Sequence, residues 1–152
     1  MWEENLRKIK LILPEPPKPA GAYIPAVRFE NLIFISGQIP MVQGELRFKG
    51  KLGKEVTVKD GYQAARICAI NALSVLKSEL GGLDKVKRIV KLVGYVNSTS
   101  QFYDQPKVIN GASDLLREVF DDDGMHARVA IGTNSLPLNA CVEIELIAGV
   151  LL

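Results

Sequence analysis

Two acidic residues and one arginine near the carboxyl end have the types and spacing for chemistry on a small anion. Arg128 lies in one β-like segment, residues 126–132. Glu143 and Glu145 lie in a second, residues 140–148, where they alternate with apolar side chains and therefore share a face. A guanidinium binds a planar carboxylate through two parallel hydrogen bonds, and a nearby carboxylate can orient or deprotonate a water molecule.

The two segments are predicted to form a β-hairpin with its turn at residues 134–139. Antiparallel pairing across that turn places Arg128 near Glu145, and Ala130 near Glu143. Two interpretations remain open on this basis: an exposed cross-strand ion pair, worth under about 1 kcal/mol, or a carboxylate site. The residues expected to face the core are Ala127, Val129 and Ile131 in the first strand and Val142, Ile144, Leu146 and Ala148 in the second.

Further motifs favour the carboxylate site. The run of Ala-Arg, Leu-Pro and Val-Glu-Ile-Glu over residues 127–145 resembles a signature of the reactive intermediate deaminase family, RidA/YjgF. Gly-Ala-Tyr at 21–23 and Asn-Leu-Ile-Phe-Ile-Ser-Gly-Gln-Ile-Pro at 31–40 are similar to that family's two other markers, in the same order. The resemblance covers about residues 20–150. The proline-rich opening through Pro19 resembles the longer branch of the family.

The resemblance implies a fold and an assembly. We expect residues 1–152 to form a single α+β domain with a chorismate-mutase-like sheet and two helices packed on one face. Residues 1–19 would be an amino-terminal helix and a proline-rich arm. Members of such a family are implied to assemble as homotrimers with ligand clefts between subunits.

The resemblance also assigns roles to individual residues. Arg128 corresponds to the carboxylate-binding arginine and Glu143 to the acid that positions water. Where short family members have Ser and Cys directly after the arginine, this chain has Val129 and Ala130. If those side chains take part in the chemistry, the substrate or the rate differs here. The substrate-binding positions implied by the resemblance are Tyr23, Ser36, Asn110 and Ala130.

Three functions follow as hypotheses. The first is hydrolysis of small 2-imino acids, or their enamine tautomers, to 2-keto acids and ammonia, for which no metal and no organic cofactor is expected. The second is a trimer that binds small carboxylates without converting them, or that regulates a partner protein. The third is RNA cleavage, against which the single histidine and the lack of an aromatic and basic run argue.

Composition sets further bounds. The 152 residues are 47% apolar and 24% charged, which is typical of a globular domain, and a net charge of +2 gives no case for nucleic-acid binding. Cys68 and Cys141 are too few for a metal cluster or disulfide framework and are expected to be buried free thiols. No run suggests a membrane span, so a cytoplasmic location is expected. His126 is predicted to share the face of Arg128, either as an acid or base or, as we favour, in a supporting position.

The elements that must position these residues alternate as two strands, a helix, a strand, a helix and two strands. A loop at 42–54 is expected to contain a short strand at Leu46–Phe48. Because helices would gather between runs of strands, the order predicts an α+β sheet with helices on one face. The predicted elements are a helix at 2–13, an extended arm at 14–19, strands at 23–29 and 32–35, a helix from N-cap Thr57 to Leu80, a strand at 86–96, a helix at 100–120 and the final hairpin.

Overall fold

The computed structural model describes residues 1–152, and its main elements follow the predicted order. Short 3₁₀ turns lie at Leu83–Lys85, Asp121–Gly124 and Pro137–Asn139. The helices are α1 (Trp2–Lys8), α2 (Val58–Leu80) and α3 (Gln105–Phe120). The strands are β1 (Ala26–Phe29), β2 (Leu32–Gln38), β3 (Met41–Val42), β4 (Glu45–Leu46), β5 (Val86–Asn97), β6 (Ala127–Thr133) and β7 (Val142–Val150).

The long helix α2 has the predicted bounds, but the other two helices are shorter than predicted. The Thr57 hydroxyl accepts a hydrogen bond from the Asp60 amide at 3.2 Å, and the helix ends at Gly81 with a φ of 73°. Helix α1 stops at Lys8, and Lys10 has a φ of 56° that no helix allows. Helix α3 begins at Gln105 instead of Ser100, with a proline in its first turn.

The five main strands form one sheet in the order β1-β2-β7-β5-β6, and this order contradicts the predicted hairpin. Strand β6 pairs in parallel with β5, and β7 pairs antiparallel with both β5 and β2. Helix α3 connects β5 to β6 as a crossover, so β6 and β7 flank β5 on opposite sides. Alternation along a strand predicts its faces but carries no information about its neighbour, which is why the hairpin prediction was wrong.

The two final strands also differ in which residues face the helices. The predicted apolar face of β7 is buried as expected. In β6 the predicted face is reversed: Arg128 and Ala130 face the helices, while Val129 and Ile131 are 40% and 42% exposed on the other face of the sheet. Both faces of β6 contain apolar side chains, so the pattern alone did not show which one the helices cover.

Helices α2 and α3 pack on one face of the sheet, as predicted, around a continuous cluster of 34 buried residues. Cys68 and Cys141 are buried free thiols, which confirms that prediction. Helix α1 lies against the rest of the domain. The Trp2 indole nitrogen donates to the Val86 carbonyl at 2.9 Å, and its ring packs edge-on against Phe120. None of the helices is long and apolar enough to cross a membrane.

Candidate functional site

Arg128 lies on the edge strand β6 and extends towards α3. Its Nη1 donates to the Asn110 Oδ1 at 2.8 Å and to the Ser113 hydroxyl at 3.2 Å. Its Nη2 contacts the Pro106 carbonyl at 3.5 Å. The guanidinium makes no ion pair with a carboxylate. Neutral groups therefore hold its position while its charge stays uncompensated and available to an anion.

The spacing on α3 explains why two partners reach the same guanidinium. Asn110 and Ser113 are three residues apart and so lie on one face of the helix. The helix approaches the sheet closely at Gly94, where a Cβ atom would come within 2.5 Å of the Ile109 side chain. A side chain at this position would push α3, and with it Asn110, away from Arg128.

His126 supports this arrangement through Ser113. Its Nδ1 is 2.6 Å from the Gly124 carbonyl, which can only accept, so Nδ1 carries a proton. Its Nε2 is 2.9 Å from the Ser113 hydroxyl and accepts from it. Burial lowers the pKa of His126, and the positive charge of Arg128 lowers it further. The neutral ring orients Ser113, which in turn accepts from Arg128; we call Asn110, Ser113, His126 and Arg128 the Arg128 corner.

The residues after the arginine contribute no polar side chain to the Arg128 corner. Ala130 faces the helices, pairs with Gly94 and packs against the core. Val129 lies on the opposite face of the sheet from Arg128, so no residue type at position 129 can place its side chain beside the guanidinium.

Glu143 lies on a different part of the molecule, near the start of β7. Its carboxylate is half-buried and forms no hydrogen bond or ion pair within the chain. Burial raises its pKa, and the negative charge of Glu145 raises it further. A Cβ atom at position 37 would lie 2.7 Å from its Oε2, so only a glycine in β2 lets the carboxylate approach so closely. Gly37 therefore constrains how the Glu143 carboxylate is positioned.

A cleft of about 1020 Å³ opens beside Glu143. Gly37 lines it next to the carboxylate, and Tyr23 and the proline-rich arm also contribute to its lining. The Tyr23 side chain is 52% exposed. Ser36 lies next to this region, and its hydroxyl donates to the Ile24 carbonyl at 2.7 Å, which leaves its oxygen free to accept. We call this region, from the arm to Glu143, the Glu143 cleft.

The Arg128 corner and the Glu143 cleft do not meet within one chain. Arg128 is in register with Leu92 of β5 and Glu143 with Tyr95, three residues further along. Two strand spacings and three residues along the strand separate their Cα atoms by about 14 Å, and their side chains leave opposite faces of the sheet. The predicted pairings of Arg128 with Glu145, and of Ala130 with Glu143, are therefore wrong.

The predicted site residues thus fall into two groups. Asn110, Arg128 and Ala130 lie together between α3 and β6. Tyr23 and Glu143 line the cleft, with Ser36 adjacent.

The sequence analysis did not identify Ser113 as a partner of Arg128, and it did not predict that the arm lines the Glu143 cleft. The helical spacing from Asn110 was the available signal for Ser113, whereas nothing in the sequence places the arm against Glu143. No group of three or more His, Cys, Asp or Glu side chains is arranged to hold a metal ion.

Comparison with known proteins identifies the family. Residues 3–150 match the family model described as "YjgF/chorismate mutase-like, putative endoribonuclease". The protein TCP17 of Trypanosoma cruzi is 42% identical over 142 residues, which cover 93% of this chain and 89% of TCP17.

Two crystal structures match the fold over nearly its whole length. Atu1372 of Agrobacterium tumefaciens, a protein of unknown function, is 40% identical with a TM-score of 0.91, covering 98% of this chain and 92% of that one. A protein from Shewanella oneidensis described as a putative endoribonuclease is 36% identical with a TM-score of 0.95, covering 99% of both chains, so the match includes the arm. With the family model spanning almost every residue, the chain belongs to the YjgF family, also called RidA/YjgF, that its motifs resemble.

Proposed function

We propose that this chain hydrolyses small reactive 2-imino acids, or their enamine tautomers, to 2-keto acids and ammonia. It would do so as a homotrimer whose clefts lie between subunits. One observation carries the proposal: an arginine without a counter-ion and a half-buried glutamate without a partner lie in one chain, about 14 Å apart by sheet geometry. The Arg128 corner supplies the group that binds the substrate carboxylate, and the Glu143 cleft supplies the base for hydrolysis.

The uncovered face of the sheet supports assembly from several copies. Val27, Phe34, Val129 and Ile131 lie on this face, each at least 40% exposed. Exposed apolar side chains on a sheet face that no helix covers are characteristic of an interface. Because β6 is an edge strand, Arg128 lies at the margin of the molecule, where the Glu143 cleft of a second copy can approach it.

In the combined site, Arg128 binds the substrate carboxylate through two parallel hydrogen bonds. Asn110 and Ser113 hold the guanidinium in place, so little rotational freedom is lost on binding. Tyr23 covers the bound molecule from the cleft side. These contacts hold the imine carbon within reach of a water molecule that hydrogen-bonds to Glu143.

Hydrolysis then consists of the addition of water to the imine carbon and the loss of ammonia, both assisted by proton transfers. Glu143 takes a proton from the water molecule while the water oxygen forms a bond to the imine carbon. Glu143 passes this proton to the nitrogen, which gives a carbinolamine. The hydroxyl proton of the carbinolamine is then transferred to the nitrogen, again through Glu143, as the carbon–nitrogen bond breaks, ammonia leaves and the carbon–oxygen double bond of the keto acid forms. The raised pKa of Glu143 makes this carboxylate a stronger base than an exposed glutamate.

The change after the arginine is compatible with this mechanism. Val129 points away from the Arg128 corner. Ala130 stays paired in β6, so its backbone amide and carbonyl are present whatever its side chain is. RNA cleavage finds less support, because the one histidine is half-buried and both its ring nitrogens have partners in Gly124 and Ser113.

The test is the rate of keto-acid release from a 2-imino acid generated in situ by dehydration of serine or threonine. Wild-type chain is expected to accelerate the release, and Arg128→Ala to abolish the acceleration while remaining folded. Release that is unaffected by a folded wild-type chain would contradict the proposal. If such a chain still bound a 2-keto acid, it would be a carboxylate-binding protein instead.

A further inference from the structure

We propose that the Glu143 cleft holds the side chain of the substrate, and that the preferred substrates are therefore 2-imino acids with bulky apolar side chains. This inference rests on the proposed function, because it places the reacting carbon beside Glu143. It goes further because it assigns selectivity for the substrate side chain to the arm and to α2.

The volume and lining of the cleft support this assignment. At about 1020 Å³ the cleft lies at the upper end of the range for ligand pockets, about 300–1,000 Å³, and far exceeds the needs of a three-carbon acid. Ile67 and Ile70 of α2 and Met41 of β3 contribute apolar side chains opposite the arm. From the arm, Leu11, Pro16 and Pro17 are partly buried against the cleft.

The geometry of the substrate leads its side chain into this space. An imine carbon is planar, so its carboxylate, its nitrogen and its side chain leave in three different directions. With the carboxylate on Arg128 of another copy and the carbon beside Glu143, the side chain extends away from Arg128. We place it among the apolar side chains that line the cleft.

The two walls are restrained in different ways, and such restraint reduces the conformational cost of binding. The Asn71 amide donates to the carbonyls of Ile39 and Met41 at 3.2 and 3.0 Å, and so fixes the chain after β2 on α2. Four prolines between positions 14 and 19 restrict the backbone of the arm. No backbone hydrogen bond involves residues 12–23, so the arm is fixed mainly by its ends.

The amino-terminal end of the arm is anchored by α1. Glu3 forms an ion pair with Lys77 at 3.0 Å and accepts from the Leu83 amide at 3.0 Å. Trp2 is 4% exposed and Leu6 is equally buried. The helix thus holds one end of the arm on the helical layer while the arm crosses the cleft.

The charged residues that line the cleft predict which substrate side chains bind poorly. Glu15 lies in the lining together with Glu143, and Lys18 at the exposed rim is the one cation there. A second carboxylate on the substrate would be placed near Glu143, where repulsion is costly. Imino acids with acidic side chains should therefore be poor substrates.

The experiment compares binding and turnover for the same set of side chains. Binding is measured by calorimetry with pyruvate, 4-methyl-2-oxopentanoate and 2-oxoglutarate. Turnover is measured as keto-acid release from the imino acids that an amino acid oxidase generates from alanine and leucine. The branched acid is expected to bind, and its imino acid to react with a kcat/KM, at least about tenfold better than the three-carbon compound. The dicarboxylate is expected to bind worst.

Variants on α2 locate the effect. Ile70→Trp and Ile67→Trp narrow the cleft and are expected to reduce the ratio of leucine-derived to alanine-derived activity by about tenfold. Ser78→Trp adds the same ring to an exposed position of α2 outside the cleft and should leave the ratio unchanged.

The outcomes separate the two proposals. Turnover with equal preference for both side chains, or a preference that neither α2 variant alters, would overturn the side-chain pocket and leave the proposed function standing. Selective binding of the branched acid without any turnover would support the pocket and overturn the proposed function. If none of the acids binds and no imino acid reacts, both are wrong.

Discussion

The Arg128 corner and the Glu143 cleft reach their geometry in different ways. In the Arg128 corner, regular elements hold the functional group, since a helix and an edge strand place Asn110 and Ser113 within 3.2 Å of a guanidinium nitrogen. In the Glu143 cleft, the irregular arm forms part of the lining around a carboxylate that has no partner within the chain. The first is prepared to bind a charge, and the second to take up a proton. This difference predicts that mutations in the two regions affect different kinetic constants.

The largest effect is expected from Glu143→Gln. Removing a general base reduces kcat by about 10²- to 10⁴-fold, while KM should change little because the amide keeps the shape of the side chain. In the wild-type chain, kcat is expected to fall as the pH decreases through the raised pKa of Glu143, above the range of an ordinary glutamate. Steady-state kinetics over a range of pH measures both. A large rise in KM with kcat preserved would show that Glu143 binds substrate and is not the base.

Arg128→Lys should mainly affect KM. Lysine keeps the charge but loses the second parallel hydrogen bond, so kcat/KM is expected to fall by about 10- to 100-fold, mainly through KM. Arg117→Lys, on an exposed position of α3, is the matched control. Equal losses in kcat for Arg128→Lys and Glu143→Gln would contradict the assignment of binding to the Arg128 corner and of proton transfer to the Glu143 cleft.

Gly37→Ala tests how closely Glu143 must be held. A Cβ atom there would lie 2.7 Å from the Glu143 Oε2, so the carboxylate must shift, and kcat is expected to fall about tenfold. Gly149→Ala is the control in β7, since its Cβ atom would meet its nearest neighbours at 3.8 Å. Kinetics of the two variants, with thermal unfolding to verify their folding, gives the comparison. Unchanged kcat in Gly37→Ala would mean that the position of Glu143 is not critical.

The smallest effect is expected from His126, which acts on Arg128 only through Ser113. Because its pKa is lower in the folded state, the unfolded chain binds the proton first as the pH falls. Stability should therefore decrease as the pH falls below about 6.5, and less so in His126→Gln. Urea unfolding between pH 5 and 8 measures this slope. A slope that His126→Gln leaves unchanged would assign the acid sensitivity to other groups.

The sequence predicted the elements well where local signals determine them. Thr57 and Gly81 mark the ends of α2 through capping, and the apolar spacing between them fixes its buried face. The buried face of β7 followed from simple alternation. The pairing of strands depends on contacts between distant parts of the chain. This is why β5 separates β6 from β7 in the structure, whereas the sequence suggested a hairpin.

The site was predictable in its residues but not in its arrangement. Motifs that resemble those of the family identified Arg128 and Glu143 as candidate site residues. Placing Arg128 and Glu143 opposite each other required a hairpin that does not exist. The roles of Ser113 and of the arm depend on tertiary packing, because Ser113 bridges His126 to Arg128 and the arm lines the same cleft as Glu143, which is distant in sequence.

The central claim is that one active site combines Arg128 of one copy with Glu143 of another, and complementation tests it directly. Arg128→Ala and Glu143→Gln chains, each inactive alone, are co-expressed in equal amounts with two different tags, and the mixed oligomers are purified through both. In every trimer that contains both variants, one of the three sites keeps both residues intact, so about one third of wild-type imine hydrolysis should return. Mixed oligomers as inactive as the separate variants would contradict a shared site.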